Sequence, residues 1–149
     1  MIIVPDTNVY VAGTATASST PSSQIMKLWH EGLYDIAVSE PILEEITRVF
    51  TTYPQVSKLI AKNGITPTQF MSYIKDIRSA ATVVPGTTPV NISPDPTDNM
   101  FFSCAVEAGA DYIVSKDKNH VLSVGSYKGI QTIAPHDFIE NVIKIRKAA

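Results

Sequence analysis

Short apolar runs alternate with longer amphipathic segments along this chain, and this alternation restricts the fold more than any other feature. The apolar runs have the length of buried strands, and the longer segments carry apolar residues at helical spacing. Strands that alternate with helices typically form a parallel sheet covered on both faces. We therefore predict a three-layer α/β fold, with a central parallel sheet of about five strands flanked by helices. The predicted strands are 2–5, 34–38, 82–84, 111–115 and 129–133, and the predicted helices are 23–32, 39–50, 54–62, 66–80, 96–108 and 135–147.

Capping and turn residues mark the ends of these elements. Ser39 is a suitable N-cap followed by a proline in the first helical turn. Thr66 has a glutamine three residues later, which is the spacing of a capping box. Small polar residues at 13–23 and proline-rich residues at 85–98 predict two loops, and residues 117–125 predict a short helix or a turn.

Length, charge and cysteine content limit the class of protein. The 149 residues suit one domain with its own core, so residues 1–149 are predicted to form a single domain. The net charge of −2 excludes a broadly basic surface that binds nucleic acid by charge alone. Cys104, the single cysteine, is interpreted as a buried, inert thiol. The chain shows neither a cationic leader nor an apolar stretch of ~18 residues, so we expect a cytoplasmic protein without a membrane segment.

Acidic residues follow the predicted strands, where a parallel sheet binds its ligands. In open sheets of this type, ligands lie beyond the carboxyl ends of the strands. Asp6 follows the first strand, and Asp117 follows the strand at 111–115. Asp98 lies at the start of the helix before that strand, and Glu44 and Glu45 lie in the helix after the second strand. Acids from four separate segments are therefore expected to converge on one edge of the sheet.

Each acid taken alone also has a purely structural interpretation. Asp6 and Asp117 could each cap a turn through a hydrogen bond to the backbone. Asp98 could be a first-turn acid behind an N-cap at Asp95. The two helical glutamates could be solvated surface residues. It is the joint occurrence of the acids at strand ends that favours a site.

A cluster of four carboxylates needs compensation. Two carboxylates about 4 Å apart repel by roughly 1 kcal/mol in water and about 4 kcal/mol at an effective dielectric of about 20. Such a cluster persists when cations neutralise it or when some of the acids stay protonated. Oxygen-only ligand sets suit Mg²⁺ or Mn²⁺, and two such ions can activate water for phosphodiester hydrolysis.

Several segments together resemble the PIN-domain family of metal-dependent nucleases. The resemblance covers nearly the whole chain and is carried by PDTNVY, SEPILEEITRVF, DPTDNMFFSCAVEAGADYIVSKDKNHVL and QTIAPHDFIE. It implies a Rossmann-like sheet and Mg²⁺- or Mn²⁺-dependent cleavage of RNA. Within the family, the chain looks most like the VapC-like toxins of prokaryotic toxin–antitoxin pairs. The resemblance therefore also implies a small antitoxin partner and a homodimer.

The resemblance assigns roles to individual residues. The acids that match the family's catalytic and metal-binding positions are Asp6, Glu45, Asp98 and Asp117, with Glu44 as the alternative to Glu45. Asn8 and Ser115 match polar residues that support these acids. The expected reaction uses metal-activated water and leaves a 5′-phosphate and a 3′-hydroxyl.

Cations and an aromatic residue near these acids have open interpretations. Lys116 and Lys118 are candidates to bind the RNA backbone, with His120 and Lys128 as further members of a basic rim; ordinary solvated lysines are the alternative. Arg48 is placed to pair with Glu44 one helical turn away. Tyr10 is expected to pack in the core or at its rim, with base stacking as the alternative.

Two other functions compete with the nuclease. One is a catalytically silent PIN-fold module that binds a protein partner or RNA. The other is a phosphatase or phospho-acceptor domain, which D-T-N-V disfavours because it lacks a second aspartate.

Overall fold

The computed structural model describes residues 1–15 and 19–148 of the chain. The strands are β1 (Ile2–Pro5), β2 (Asp35–Ser39), β3 (Thr82–Val84), β4 (Tyr112–Val114), β5 (Ser126–Tyr127) and β6 (Ile130–Ile133). The helices are α1 (Thr7–Ala15), α2 (Pro21–His30), α3 (Glu40–Thr52), α4 (Pro54–Lys62), α5 (Pro67–Ala80), α6 (Asn99–Ala108), α7 (Pro135–Phe138) and α8 (Lys144–Ala148). A π-helical segment, Ile139–Ile143, joins α7 to α8. Short 3-10 turns cover Pro96–Asp98 and Leu122–Val124.

The sheet confirms the predicted α/β class. Its strand order is β3-β2-β1-β4-β6-β5, and all pairs are parallel except β5 with β6. The sixth strand, β5, was not predicted, because two residues carry too little pattern to be recognised. Pro5 lies opposite Val114 at the last position of β1, and the Asp6 amide resumes the pairing by donating to the Val114 carbonyl over 2.8 Å. The donor that proline lacks is therefore lost only at the end of the strand.

The core lies between the sheet and the helices that cover it. Ile3, Ile36 and Ile113, from three adjacent strands, are fully buried. Cys104 is also fully buried, as its apolar surroundings predicted. Within the described ranges, no helix is both long and apolar enough to cross a bilayer.

Helix α1 corrects the predicted loop at 13–23. The structure has helix up to residue 15 and again from residue 21, while residues 16–18 lie outside the described part. A Cβ atom on Gly13 would lie 2.8 Å from Met26 Cγ and 3.0 Å from the Ser22 carbonyl oxygen. Gly13, one of the small residues that indicated a loop, therefore lets α1 pack closely on α2.

The predicted N-caps of α3 and α5 are confirmed, whereas α3 ends at Thr52, two residues beyond its predicted end. The Ser39 hydroxyl accepts a hydrogen bond from the Ile42 amide at the start of α3. Thr66 and Gln69 form the expected capping box at the start of α5, each side chain accepting from the other's amide. These caps satisfy amides that the first helical turn leaves without partners.

The loop at 85–98 is attached to α6 by side chains. The Glu107 carboxylate accepts hydrogen bonds from the amides of Gly86 and Thr88, both over 2.7 Å. The Asn99 side chain accepts from the Ser93 amide over 2.9 Å. These contacts explain how a long loop without regular structure can hold residues in fixed positions.

Replacing Glu107 with glutamine is expected to weaken this attachment in a pH-dependent way. The backbone amides lower the pKa of Glu107 to about 2 from 4.5. The ionised group therefore adds stability above about pH 4.5, and this stability is lost as the pH falls toward 2. Urea unfolding at several pH values should show that Glu107→Gln is less stable than wild type at pH 7 and that the difference narrows toward pH 3.

The exposed Glu31 provides the control. Glu31→Gln should change the free energy of unfolding by less than about 0.5 kcal/mol at every pH. A constant difference between Glu107→Gln and wild type across this pH range would contradict the assignment.

Candidate metal and nucleic-acid site

A cleft of about 510 Å³ opens beyond the carboxyl ends of β1 and β4. The acids predicted from the sequence line it together, although they come from four separate segments of the chain. These residues are Asp6, Glu45, Asp98 and Asp117. The convergence expected from the sheet topology is therefore observed.

Asp6 is the most buried of these acids, with 5% of its surface exposed. Its carboxylate accepts a hydrogen bond from the Ser115 hydroxyl over 2.6 Å and one from the Asn8 side-chain amide over 3.2 Å. Burial raises the pKa of Asp6, and the charges of Asp117 and Glu45 raise it further, while the Ser115 hydrogen bond opposes the shift. Asp6 is thus held in one orientation in an environment that disfavours its negative charge.

Ser115 and Asn8 connect the two strand ends. The Ser115 hydroxyl also accepts from the Asp117 amide over 3.0 Å, so one side chain contacts two of the acids. The Asn8 side-chain oxygen accepts from the Lys116 amide over 3.2 Å. Both residues therefore lie where the sequence placed supporting groups, and their contribution to function stays a prediction.

The structure distinguishes the two helical glutamates. Glu45 lines the cleft and its side chain is 23% exposed, whereas Glu44 is exposed and lies outside the set of described residues lining the cleft. Arg48 donates to both Glu45 carboxylate oxygens, over 2.9 and 2.7 Å. The predicted pairing of Arg48 with Glu44 is therefore wrong. In α3, an i,i+3 pair with Glu45 forms instead.

Asp98 ends the short turn before α6 and makes no capping hydrogen bond with its side chain. The capping role belongs to Asp95, which accepts from the Thr97 amide over 3.0 Å. Burial raises the pKa of Asp98 to about 6, with further contributions from Asp6, Asp95 and Asp117. Asp98 is therefore available for an external ligand at the cost of an unfavourable charge.

Asp117 caps the turn that follows β4. One of its carboxylate oxygens accepts from the amides of Asn119 and His120, both over 3.0 Å. The other oxygen lies 3.1 Å from His120 Nδ1. The structural interpretation of Asp117 as a turn cap is correct, and the residue lines the cleft as well.

A second group of potential metal ligands overlaps the cleft at Asp98. One ligand atom from each of Asp95, Asp98 and His120 lies within 4.8 Å of the others. Sequence reasoning did not place Asp95 or His120 among the ligands. Two spacings in the sequence could have indicated them: Asp95 lies three residues before Asp98, and His120 lies three residues after Asp117.

The loop that carries Asp95 contacts the loop that carries His120. The Ser93 hydroxyl donates to the His120 carbonyl oxygen over 2.6 Å and accepts from the Asp95 amide over 3.2 Å. Ser93 itself is 7% exposed. One buried hydroxyl therefore ties together the two segments that deliver Asp98 and Asp117.

The candidate RNA-binding residues separate in the structure. Lys116 is exposed and lines the cleft. Lys118 is exposed but lies outside the described lining of the cleft. Lys128 lies in the turn before β6, at the opposite edge of the sheet, so its inclusion in a basic rim is wrong. Tyr10 is fully buried, which confirms core packing and excludes base stacking in this conformation.

Removing the charge of Asp98 is expected to stabilise the metal-free protein at neutral pH. The folded protein holds the Asp98 proton with a pKa of about 6, whereas the ordinary value is 3.8. The protonated Asp98 carboxyl group therefore contributes to the free energy of unfolding below about pH 4, and this contribution is lost as the pH rises through 6. In urea unfolding with a chelator, Asp98→Asn should be more stable than wild type at pH 7.5 and close to it at pH 4. An unchanged slope of stability against pH would contradict the assignment.

Comparisons with known proteins provide a family and a fold. The family model described as PIN domain matches residues 3–119. A comparison with curated proteins gives no match. Among solved structures, the chain is similar to a chain in the crystal structure of VapBC2 from Rickettsia felis bound to a DNA fragment from their promoter. The TM-score is 0.55 and the identity 11%, over 90% of this chain and 98% of that chain, a likeness that shows the fold.

Proposed function

This chain belongs to the PIN-domain family, and we propose that it is a Mg²⁺- or Mn²⁺-dependent ribonuclease that hydrolyses RNA phosphodiester bonds. The observation that carries the proposal is the convergence of Asp6, Glu45, Asp98 and Asp117 in one cleft beyond the carboxyl ends of β1 and β4. A nuclease of this kind needs oxygen ligands for cations beside a space that accepts a phosphodiester.

The residues in the cleft fit a divalent cation. Their donor atoms are carboxylate oxygens, which Mg²⁺ and Mn²⁺ prefer. The raised pKa values of Asp6 and Asp98 reflect in part the charges of neighbouring acids, which a cation would offset. Thr7 lines the same cleft, and its buried hydroxyl has no hydrogen-bond partner among the described residues, so it is available to a bound water or ligand.

In the proposed mechanism, the acids hold the cations and the neighbouring residues orient the acids. Divalent ions bound here would activate water and stabilise the leaving oxygen. Ser115 and Asn8 hold the Asp6 carboxylate in one orientation, and Arg48 does the same for Glu45. Lys116 provides a positive charge in the cleft for a phosphate of the RNA. The products would carry a 5′-phosphate and a 3′-hydroxyl.

We also propose a biological setting. The fold likeness to a chain of a VapBC2 complex supports a toxin that is held inactive by a small antitoxin. We propose that the chain forms one domain, acts in the cytoplasm and works as a homodimer. Lys118 remains a candidate for a more distant contact with the RNA backbone.

A catalytically silent binding module is the second candidate. It is favoured by the internal partners of two acids: Glu45 is paired with Arg48, and Asp117 accepts backbone amides and contacts His120. A nuclease must release or share some of these contacts when cations bind. Titration of wild type with Mn²⁺ by calorimetry separates the two functions, because a silent module would show no binding.

Replacing Asp6 with asparagine is expected to abolish metal-dependent cleavage, a loss of more than about 100-fold. The substitution keeps the size of the side chain and removes its charge at the most buried acid. Cleavage of structured RNAs and calorimetry with Mn²⁺ measure the effect, and thermal unfolding checks that the variant folds. Full activity in Asp6→Asn would remove Asp6 from the mechanism.

Glu44 and Glu45 provide a matched pair within one helix. Glu45→Gln should lower the cleavage rate by more than about 10-fold because Glu45 lines the cleft. Glu44→Gln should stay within about twofold of wild type, since Glu44 is exposed and lies outside the described lining. Cleavage rates at saturating Mn²⁺ measure both variants, and the reverse order of effects would assign the helical acid to Glu44.

A further inference from the structure

The cleft has an apolar wall beside its acids. Helices α1, α3 and α4 and the junction between the last two supply this wall, which faces the same space as the carboxylates. The wall consists of Val11, Ala12, Val49, Tyr53, Val56 and Leu59. This wall places an apolar surface next to the charged part of the cleft.

Tyr53 is held in place at the junction of α3 and α4. Its amide donates to the Val49 carbonyl oxygen over 3.2 Å, and its own carbonyl accepts from the amides of Val56 and Ser57 over 3.1 and 3.0 Å. Pro54 follows, which disfavours helical backbone at Tyr53, and Tyr53 is extended, with φ −85° and ψ 115°. The backbone is therefore fixed on both sides, yet 43% of the Tyr53 surface is exposed.

Arg48 connects this ring to the acids. The Arg48 guanidinium carbon lies 5.5 Å from the centre of the Tyr53 ring, and the same group donates to both Glu45 carboxylate oxygens. A guanidinium beside an aromatic ring makes a cation–π contact that limits the movement of both side chains. Arg48 thereby connects the Tyr53 ring to Glu45, an acid that lines the cleft.

The charges of the cleft provide little attraction for RNA, and an aromatic ring can supply a different kind of contact. Its described lining contains four carboxylates and one lysine, Lys116, so it cannot bind an RNA backbone by charge in the way that basic proteins do. Proteins that bind single strands also use stacking of bases on aromatic side chains, which tolerates any base. Stacking of this kind requires a base that is not already stacked in a duplex.

We propose that Tyr53, braced by Arg48, stacks on an unpaired base next to the phosphate that is cleaved, and that it makes the site selective for unpaired RNA. This inference rests on the proposed ribonuclease function. A flat ring beside a guanidinium suits a planar base, whereas a protein partner that covers the wall is the competing occupant. Tyr53 acts here as a specificity-determining residue and takes no part in the chemical step.

The test compares Tyr53→Leu with Tyr53→Phe, which keeps the ring. The substrates are a short single-stranded RNA and the same sequence within a paired stem, both with Mn²⁺. In Tyr53→Leu, we expect the KM for single-stranded RNA to rise at least about fivefold, with kcat close to wild type. The preference for unpaired over paired RNA should fall by a similar factor, and Tyr53→Phe should keep it.

A fluorescence measurement reports stacking directly. Single-stranded RNAs carrying 2-aminopurine at successive positions should lose emission at one position when they bind wild type or Tyr53→Phe. Emission should persist at that position when they bind Tyr53→Leu. Matching thermal unfolding of the two variants shows that a difference does not come from misfolding.

The outcomes separate this inference from the function on which it rests. Wild type that cleaves RNA, together with an unchanged KM and unchanged quenching in Tyr53→Leu, overturns the stacking role alone and leaves the wall to a protein partner. If wild type binds RNA with a quenching that Tyr53→Leu loses, yet never cleaves RNA, the ribonuclease is refuted and the stacking role is supported. Wild type that neither binds nor cleaves RNA overturns both.

Discussion

The parallel pairing of β1 with β4 is the interaction on which the candidate site depends. It sets Pro5 opposite Val114, so the residues that follow the two strands begin side by side. The hydrogen bond from Ser115 to the Asp6 carboxylate then closes the gap between the two strand ends. If the pairing were shifted by one residue, one of the two strands would turn its side chains to the other face of the sheet, and Asp6 and Ser115 would no longer meet.

The same arrangement has an energetic cost. Burial and neighbouring charges raise the pKa values of Asp6 and Asp98, so the folded protein disfavours negative charge at both carboxyl groups. Two features can offset this cost: most residues of β1 and β4 beneath the site are buried, and the loop at 85–98 is attached to α6 by Glu107. A cation bound between these acids would reduce this cost.

Sequence reasoning predicted the sheet from the alternation of strands and helices. It predicted the convergence of the acids from the rule that a parallel sheet binds its ligands beyond the carboxyl ends of its strands. It failed where packing outweighs local preference. Gly13 indicated a loop, yet it permits the contact between α1 and α2 that makes this segment helical. The sequence reasoning also paired Arg48 with Glu44, four residues away, whereas Arg48 pairs with Glu45, three residues away. A helix allows both spacings, so the sequence alone does not distinguish them. The group of potential ligands formed by Asp95, Asp98 and His120 could not be recognised, since it depends on how two loops fold against each other.

Ser93 links those two loops through a single hydroxyl, which contacts the His120 carbonyl and the Asp95 amide. The segment that carries Asp98 is therefore attached to the segment that carries Asp117 by a contact within the protein. Ser93, which is not among the described residues lining the cleft, thus joins two segments that each supply an acid to it.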